Sequence, residues 1–117
     1  MDFFIGSLYV CVDDMPRAIS FYEDFFERKV AEKDDVYSVF DVNGFRFGLF
    51  AFKTKNEPHS YGTNCLPSIT FDTLEKLKSK SENKKIVFPL TKIGGNWVEE
   101  IEDSEGNRLE LTAEIKE

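Results

Sequence analysis

An internal repeat constrains the fold of this chain more than any other feature of its sequence. The segment Asp41–Leu49 aligns with Asp103–Leu111, and the two agree at Asp, Gly, Arg and Leu. Further upstream, Val10–Asp13 aligns with Ile69–Asp72 in the same order. Each match is short, but their shared order within two similar series of elements indicates a duplicated supersecondary unit.

The first half of the chain predicts a strand followed by a helix. Ile5–Asp13 alternates as a half-buried strand does, with Val10 and Val12 on one face. Asp13 and Asp14 both offer a helix N-cap, and Pro16 suits the first helical turn because its missing N–H costs nothing there. The residues at helical spacing after it form an aromatic stripe, which we expect to pack in the core: Ala18, Phe21, Tyr22, Phe25 and Phe26.

Three strand-like runs follow this helix. A weak run at Lys29–Lys33 precedes stronger ones at Val36–Val42 and Phe45–Phe52. Asn43–Gly44 joins the last two, and this dipeptide between apolar runs predicts a tight hairpin. Residues 53–67 then lose periodicity, which is typical of a linker.

The second half repeats the plan. A strand at Ser68–Phe71 leads into a helix that Asp72 or Thr73 caps, with Glu75 placed as in a capping box. Three further strands are predicted at Ile86–Ile93, Asn96–Asp103 and Arg108–Ile115. The sequence therefore predicts one α+β domain of two βαβββ modules, at 1–55 and 66–117, with a linker at 56–65.

Composition excludes several classes of protein. The net charge is −7 over 117 residues, so the chain has no basic face for nucleic-acid phosphates. No segment approaches the length of a membrane span, and the N-terminus does not read as a targeting signal. Cys11 and Cys65 are the two cysteines, too few for a disulfide scaffold or a zinc site, so we expect a cytoplasmic protein. Hydrolase and kinase motifs are also missing.

Two stretches resemble the vicinal oxygen chelate superfamily, which contains glyoxalases, bleomycin-resistance proteins and extradiol dioxygenases. Val10–Tyr22 resembles the family's apolar strand, Asp and Phe-Tyr helix. Ile101–Leu111 resembles its Asp-Pro-x-Gly-Asn-x-x-Glu-Leu motif, with Ser104 where Pro is usual. The resemblance implies paired βαβββ modules that curve around a cleft, and in the family's enzymes a metal ion held in that cleft.

Carrying the metal-ligand positions over from the family leaves one strong ligand. These positions fall on Ser7, Gly48, Leu66 and Glu110, and the single histidine of the chain, His59, lies in the predicted linker. A catalytic divalent ion normally needs three or more protein oxygen or nitrogen ligands. We therefore expect no metal and no cofactor. A metal-dependent lyase or dioxygenase with an atypical site remains the alternative.

Strand parity singles out Glu110. If Leu109 and Leu111 pack against the helices, then Arg108, Glu110 and Thr112 face the cleft side of the sheet. By the repeat, Arg46, Gly48 and Phe50 face the equivalent side of the first module. Two interpretations stay open: Glu110 anchors a cationic ligand, or it merely pairs with Arg108 or Arg46.

Aromatic residues complete the candidate binding site. Phe50, Tyr9 and the space beside Gly48 suggest an aromatic-walled pocket that would favour planar or cationic ligands, although core packing is the alternative for each ring. The further candidates for its wall or rim are Trp97, Tyr37, Phe40 and Tyr61. The acidic run formed by Glu99, Glu100, Glu102, Asp103 and Glu105 reads as a solvated edge.

These observations predict a small-molecule-binding protein of the bleomycin-resistance type. It would sequester a cationic or aromatic ligand, as in antibiotic resistance, without catalysis. Open sheet edges and the family resemblance also predict a homodimer. A dimer with a vestigial cleft is a further alternative.

Overall fold

The computed structural model describes residues 4–56 and 65–116, and the chain forms two compact units, Met1–Ser60 and Tyr61–Glu117. The first unit contains one helix on a three-stranded mixed sheet, and the second contains one helix on a four-stranded mixed sheet. The α+β fold class predicted from the sequence is confirmed. The centre of the predicted linker, residues 57–64, lies outside the described residues.

The first unit runs strand, helix, strand, strand. Its elements are β1 (Ser7–Cys11), α1 (Met15–Phe26), β2 (Tyr37–Val42) and β3 (Phe45–Phe50), followed by a 3-10 turn at Phe52–Lys55. Strand β3 lies in the middle of the sheet, parallel to β1 and antiparallel to β2. The hairpin between β2 and β3 supplies one of the two strand pairings in this sheet. The other pairing joins β1 to β3, which are far apart in the sequence.

The weak strand predicted at Lys29–Lys33 is reduced to a single bridge between Glu32 and Val39. The hydrogen bonds of this segment do not follow the pattern of a strand ladder. The Val30 amide donates to the Glu23 carboxylate at 3.0 Å. The amides of both Ala31 and Glu32 donate to the same Val39 carbonyl, at 2.8 and 3.0 Å, so no regular ladder can continue.

Helix α1 begins where the sequence predicts. Asp14 is its N-cap, and the carboxylate accepts a hydrogen bond from the Arg17 amide at 3.0 Å. The aromatic stripe packs into the core as predicted: the ring of Tyr22 is fully buried, with its centroid 5.1 Å from that of Phe47 and 6.2 Å from that of Phe40. Phe40 is itself completely buried on the helix side of the sheet, so its predicted place at a binding site is wrong.

The hairpin at Asn43–Gly44 is confirmed. Both residues have positive φ, 53° and 91°, as a type I′ turn requires. The Asp41 carboxylate stabilises the turn by accepting a hydrogen bond from the Gly44 amide at 2.7 Å. The turn fixes the register of β2 against β3 and so decides which side chains share a face.

The second unit has the full βαβββ order. Its elements are β4 (Ser68–Phe71), α2 (Leu74–Ser81), β5 (Lys85–Ile93), β6 (Asn96–Glu102) and β7 (Arg108–Glu114). The strand order is β4-β7-β6-β5, with β4 parallel to β7 and the other pairs antiparallel. Thr73 caps α2 by accepting from the Lys76 amide at 3.2 Å. Glu75 thus falls one position short of a capping box, which corrects the sequence interpretation.

The core of this unit lies between α2 and one face of its sheet. Leu109, Leu111 and Ala113 are fully buried there, together with Leu77 of the helix and Ile101 of β6. Within the described residues, no helix combines the length and the apolar character needed to cross a membrane.

The acidic run does not form a solvated edge throughout. Glu99, Asp103 and Glu105 are all buried, against the prediction. The Asp103 carboxylate accepts hydrogen bonds from the Glu105 and Asn107 amides, each at 2.8 Å, and so holds the turn between β6 and β7. Its burial is therefore explained by the backbone donors that it satisfies.

Candidate functional site

Three aromatic rings group on the face of the first sheet that is turned away from α1. We call Tyr9, Tyr37 and Phe50 the aromatic corner. Phe50 lies opposite Cys11 in β1 and opposite Tyr37 in β2. The Tyr9 ring stands nearly perpendicular to both others, at 72° to Tyr37 and 85° to Phe50, with centroids 5.9 and 5.5 Å away. The sequence named all three residues, and the fold brings them together.

Gly48 makes this arrangement possible. It lies in β3 between Tyr9 on one neighbouring strand and Val39 on the other. A β-carbon at residue 48 would overlap the hydroxyl oxygen of Tyr37, whose side chain crosses diagonally over the glycine. The space that Gly48 leaves is therefore occupied by the Tyr37 phenol.

Arg46, on the same strand and face as Gly48, is held by Glu32. The guanidinium Nη1 lies 2.7 Å from the Glu32 carboxylate oxygen. The hydrogen bond from Arg46, and then its charge, lower the pKa of the Glu32 carboxyl below its ordinary value, and Glu32 raises that of Arg46 for the same reasons. The ion pair that the structure gives Arg46 is thus with Glu32.

Glu110 occupies the middle of the second sheet, on the face turned away from α2. It is half-buried and lies between Ser68 of β4 and Glu100 of β6. The Ser68 hydroxyl donates to its carboxylate at 2.6 Å. The Arg108 guanidinium lies 3.5 Å from the Glu100 carboxylate, which is the ion pair that the structure gives it. Within the second unit, the ion pair of Arg108 is therefore with Glu100 and not with Glu110.

The side chains around Glu110 form a polar surface that we call the acidic face. Its members are Ser68, Thr70, Glu100, Arg108, Glu110 and Thr112. The hydroxyls of Thr70 and Thr112 lie 3.1 Å apart in the next row of the sheet. Glu102 lies on the same face opposite Arg108 and pairs with Lys85 at 3.5 Å, while Glu100 pairs with Arg108. Glu110 is left without an ion pair in the described residues, so the acidic face carries a formal negative charge. The alternation of Leu109 and Leu111 with polar residues predicted its β7 members correctly.

Ser68 and Glu100 were missed by the sequence interpretation. The signal for Glu100 was present, since a tight turn after Asp103 sets the register that places it opposite Glu110. Ser68 depends on the parallel pairing of β4 with β7, which local patterns do not encode.

Trp97 does not belong to the acidic face. It lies opposite Ala113, which is fully buried beneath the helix, so its side chain is on the other face of the sheet from Glu110. There the Lys92 ammonium sits 5.0 Å from the ring centroid as a cation–π contact. Trp97 was predicted at the wall or rim of the pocket, but it lies on the opposite face of the sheet from Glu110. Tyr61 and His59 lie outside the described residues.

The positions that hold the metal in related enzymes do not fit a metal here. Ser7 and Gly48 belong to the first unit, and Leu66 and Glu110 to the second. Only Glu110 offers a strong ligand, and the Tyr37 phenol fills the place of any side chain at residue 48. Across residues 4–56 and 65–116, no three His, Cys, Asp or Glu side chains group as a metal site would require.

The chain belongs to the Glyoxalase/Bleomycin resistance protein/Dioxygenase superfamily, whose sequence model matches residues 4–111. No curated protein sequence matches the chain. The family assignment covers both units and agrees with the resemblance seen in the sequence.

Solved structures share the fold at low sequence identity. A glyoxalase/bleomycin resistance protein/dioxygenase family enzyme from Burkholderia phytofirmans is 13% identical, with a TM-score of 0.80 over 94% of this chain and 98% of its own. A glyoxalase-related enzyme from Fulvimarina pelagi is 10% identical, with a TM-score of 0.79 over 94% and 87%. A lactoylglutathione lyase from Agrobacterium tumefaciens is 18% identical, with a TM-score of 0.71 over 94% and 92%.

Proposed function

We propose that this chain is a small-molecule-binding protein of the bleomycin-resistance type, which sequesters a cationic or aromatic ligand by stoichiometric binding. Its family contains binders as well as lyases and dioxygenases. The chemistry of the metal-ligand positions favours the binder, because a single strong ligand does not hold a catalytic ion. Cys11 and Cys65 form no disulfide in the described residues, in keeping with the reducing, cytoplasmic setting that we propose.

The environment of Glu110 is the observation that carries this proposal. The carboxylate is half-buried, with the Ser68 hydroxyl as its hydrogen-bond partner, and Glu100 lies directly opposite in the ladder. Like charges placed opposite each other on a sheet are destabilising. The ion pair of Arg108 with Glu100 offsets part of this repulsion. A bound cation would reduce the rest and repay part of the desolvation of Glu110.

The rest of the molecule supports a preference for cations. The net charge of −7 raises the local concentration of positive ligands. Arg108 forms its ion pair with Glu100, so within the second unit it does not compete for Glu110. We therefore expect cationic aromatic compounds to bind better than neutral or anionic compounds of the same size.

Calorimetric titration of matched cationic and neutral dyes tests the proposal. Glu110→Gln keeps the shape and a hydrogen-bond acceptor for Ser68 but removes the charge. The affinity for the cationic dye should fall by about 1–3 kcal/mol, while the affinity for the neutral dye stays the same. Glu75→Gln is the matched control, because it removes the same charge from an exposed position in the first turn of α2.

Two results would overturn the proposal. Equal affinity of the cationic dye for Glu110→Gln and the unaltered chain would make the carboxylate a structural residue. Near-stoichiometric metal that survives dialysis, measured by elemental analysis, would instead favour a lyase or dioxygenase with an atypical site.

A further inference from the structure

We propose that the aromatic corner of Tyr9, Tyr37 and Phe50 is a binding site for methylated ammonium groups. This inference rests on the proposed function, since it names the class of cation that the protein takes and the rings that would receive it. All three rings belong to the first unit, so the site that they form does not include Glu110.

The ring geometry suits a cation–π site. The three centroids are 5.5, 5.9 and 6.3 Å apart, and the Tyr9 ring is steeply inclined to the other two. An ion placed above this triangle lies within about 6 Å of every centroid, which is the range of the cation–π attraction.

The corner remains open to solvent in the structure. The side chain of Tyr9 is 44% exposed, and Tyr37 and Phe50 are half-buried. The aromatic residues on the helix side behave differently, since Tyr22 and Phe40 are both fully buried there. The aromatic corner therefore contributes less to the core than a cluster of this size could, and it offers apolar surface that a ligand can cover.

The nearby charges favour a methylated ion over a bare ammonium group. Arg46 on this face is paired with Glu32 at 2.7 Å, so the pair neither strongly repels a cation nor offers a free carboxylate to attract one. Asp41 lies opposite Arg46, and its carboxylate accepts a hydrogen bond from the Gly44 amide at the hairpin turn. A compact ammonium ion loses strong interactions with water when it binds, and a carboxylate is needed to replace those interactions. A methylated ammonium spreads its charge over apolar methyl groups, loses less hydration, and also gains from contact with the rings.

Proton NMR of tetramethylammonium during titration with the protein provides the test. Binding over ring faces should shift its methyl resonance upfield and saturate. The neutral isostere 2,2-dimethylpropanol should bind at least about fivefold more weakly, because it has the shape without the charge. Saturation transfer from the ring protons of the unaltered protein to the methyl protons gives a readout that needs no variant.

Variants then locate the site. Tyr9→Leu and Phe50→Leu should each weaken tetramethylammonium binding at least about fivefold, since each removes one of three attracting rings. Phe45→Leu is the matched control: Phe45 is 45% exposed on the same strand, and its odd-numbered position places it with Phe47 on the opposite face.

The inference is overturned by any of three results: no saturable shift, equal binding of the neutral alcohol, or an equal loss in Phe45→Leu. The proposed function is judged separately by the dye titrations. If Glu110→Gln discriminates the dyes while tetramethylammonium shows no binding, only the aromatic corner is abandoned.

Discussion

The hydroxyl of Tyr37 lies against the backbone of Gly48, where a β-carbon on residue 48 would have to go. Tyr37 is on β2 and Gly48 on β3, and the register Tyr37–Phe50 carries the phenol diagonally across the strand. The Tyr37 side chain therefore fits only because residue 48 has no β-carbon. The effects on stability of substituting Tyr37 and Gly48 should be coupled.

Gly48→Ala should destabilise the protein by about 1–3 kcal/mol, the usual cost of overpacking, because Tyr37 must move. Urea denaturation measures the change. The same substitution in a Tyr37→Ala background should cost much less, since the obstructing phenol is gone. Equal costs in the two backgrounds would mean that Tyr37 does not constrain residue 48.

Glu99→Leu should raise the free energy of unfolding by about 1–3 kcal/mol, the desolvation penalty of a buried polar group without a partner. Glu99 is 7% exposed and lies opposite the buried Leu111. In the part of the chain that the structure describes, its Oε1 has no hydrogen-bond partner. Urea denaturation at neutral pH tests this, with Glu114→Leu at the exposed end of β7 as the control. Unchanged or reduced stability in Glu99→Leu would contradict the prediction.

The ion pair of Glu32 with Arg46 should make stability depend on pH. Its hydrogen bond and charge hold the pKa of Glu32 below its ordinary value of 4.5. The stabilisation is therefore complete above the unfolded-state pKa and is lost as the pH falls through the folded-state pKa. Glu32→Gln should be less stable than the unaltered chain at neutral pH, and the difference should vanish in acid.

Salt provides a second check on this pair. Both side chains are more than half exposed, at 58% for Glu32 and 51% for Arg46, so added salt should reduce the difference at neutral pH. A difference between the two proteins that persists unchanged in acid would show that Glu32 acts through packing instead of charge.

The homodimer predicted from the sequence stays a prediction, and the N-terminal segment offers a way to test it. Phe4 and Ile5 are 88% and 86% exposed and lead into β1, an edge strand of the first sheet. Light scattering should give twice the mass of one chain. Phe4→Ser combined with Ile5→Ser should shift the protein towards monomer.

Ile93→Ser is the control for this experiment, because Ile93 is also exposed, at 51%, but lies in the second unit. A monomer mass for the unaltered chain at working concentration would refute the dimer. Loss of the dimer in Ile93→Ser but not in the double variant would place the interface elsewhere.

The sequence predicted the site best where the local pattern had a single solution. Leu109 and Leu111 alternate with Arg108 and Glu110 along the strand. Only one orientation of the strand buries the leucines, and it places Arg108 and Glu110 on the opposite face. Asn43–Gly44 likewise permits few backbone conformations other than the hairpin that forms. In both cases short-range chemistry was enough to set the face or the turn.

Strand β6 shows why the rest could not be predicted. Val98 and Ile101 are both buried but lie on opposite faces, so the apolar pattern did not decide where Trp97 or Glu99 points. The partners of Glu32 and Glu110 are also non-local, since Arg46 and Ser68 reach them through sheet pairing. Such contacts follow from topology and have no signature in neighbouring residues.

The parallel pairing of first and last strands also determines the order in which each unit can fold. Ser7 meets Arg46 in the first unit and Ser68 meets Glu110 in the second, so these ladders close loops of about forty residues. During synthesis, β1 cannot pair until β3 has been made, and β4 cannot pair until β7 has been made. Strand β7 comes last in the sequence of the second unit but lies inside its sheet. During synthesis the first unit can complete its sheet while the second still exposes the edges that β7 will cover.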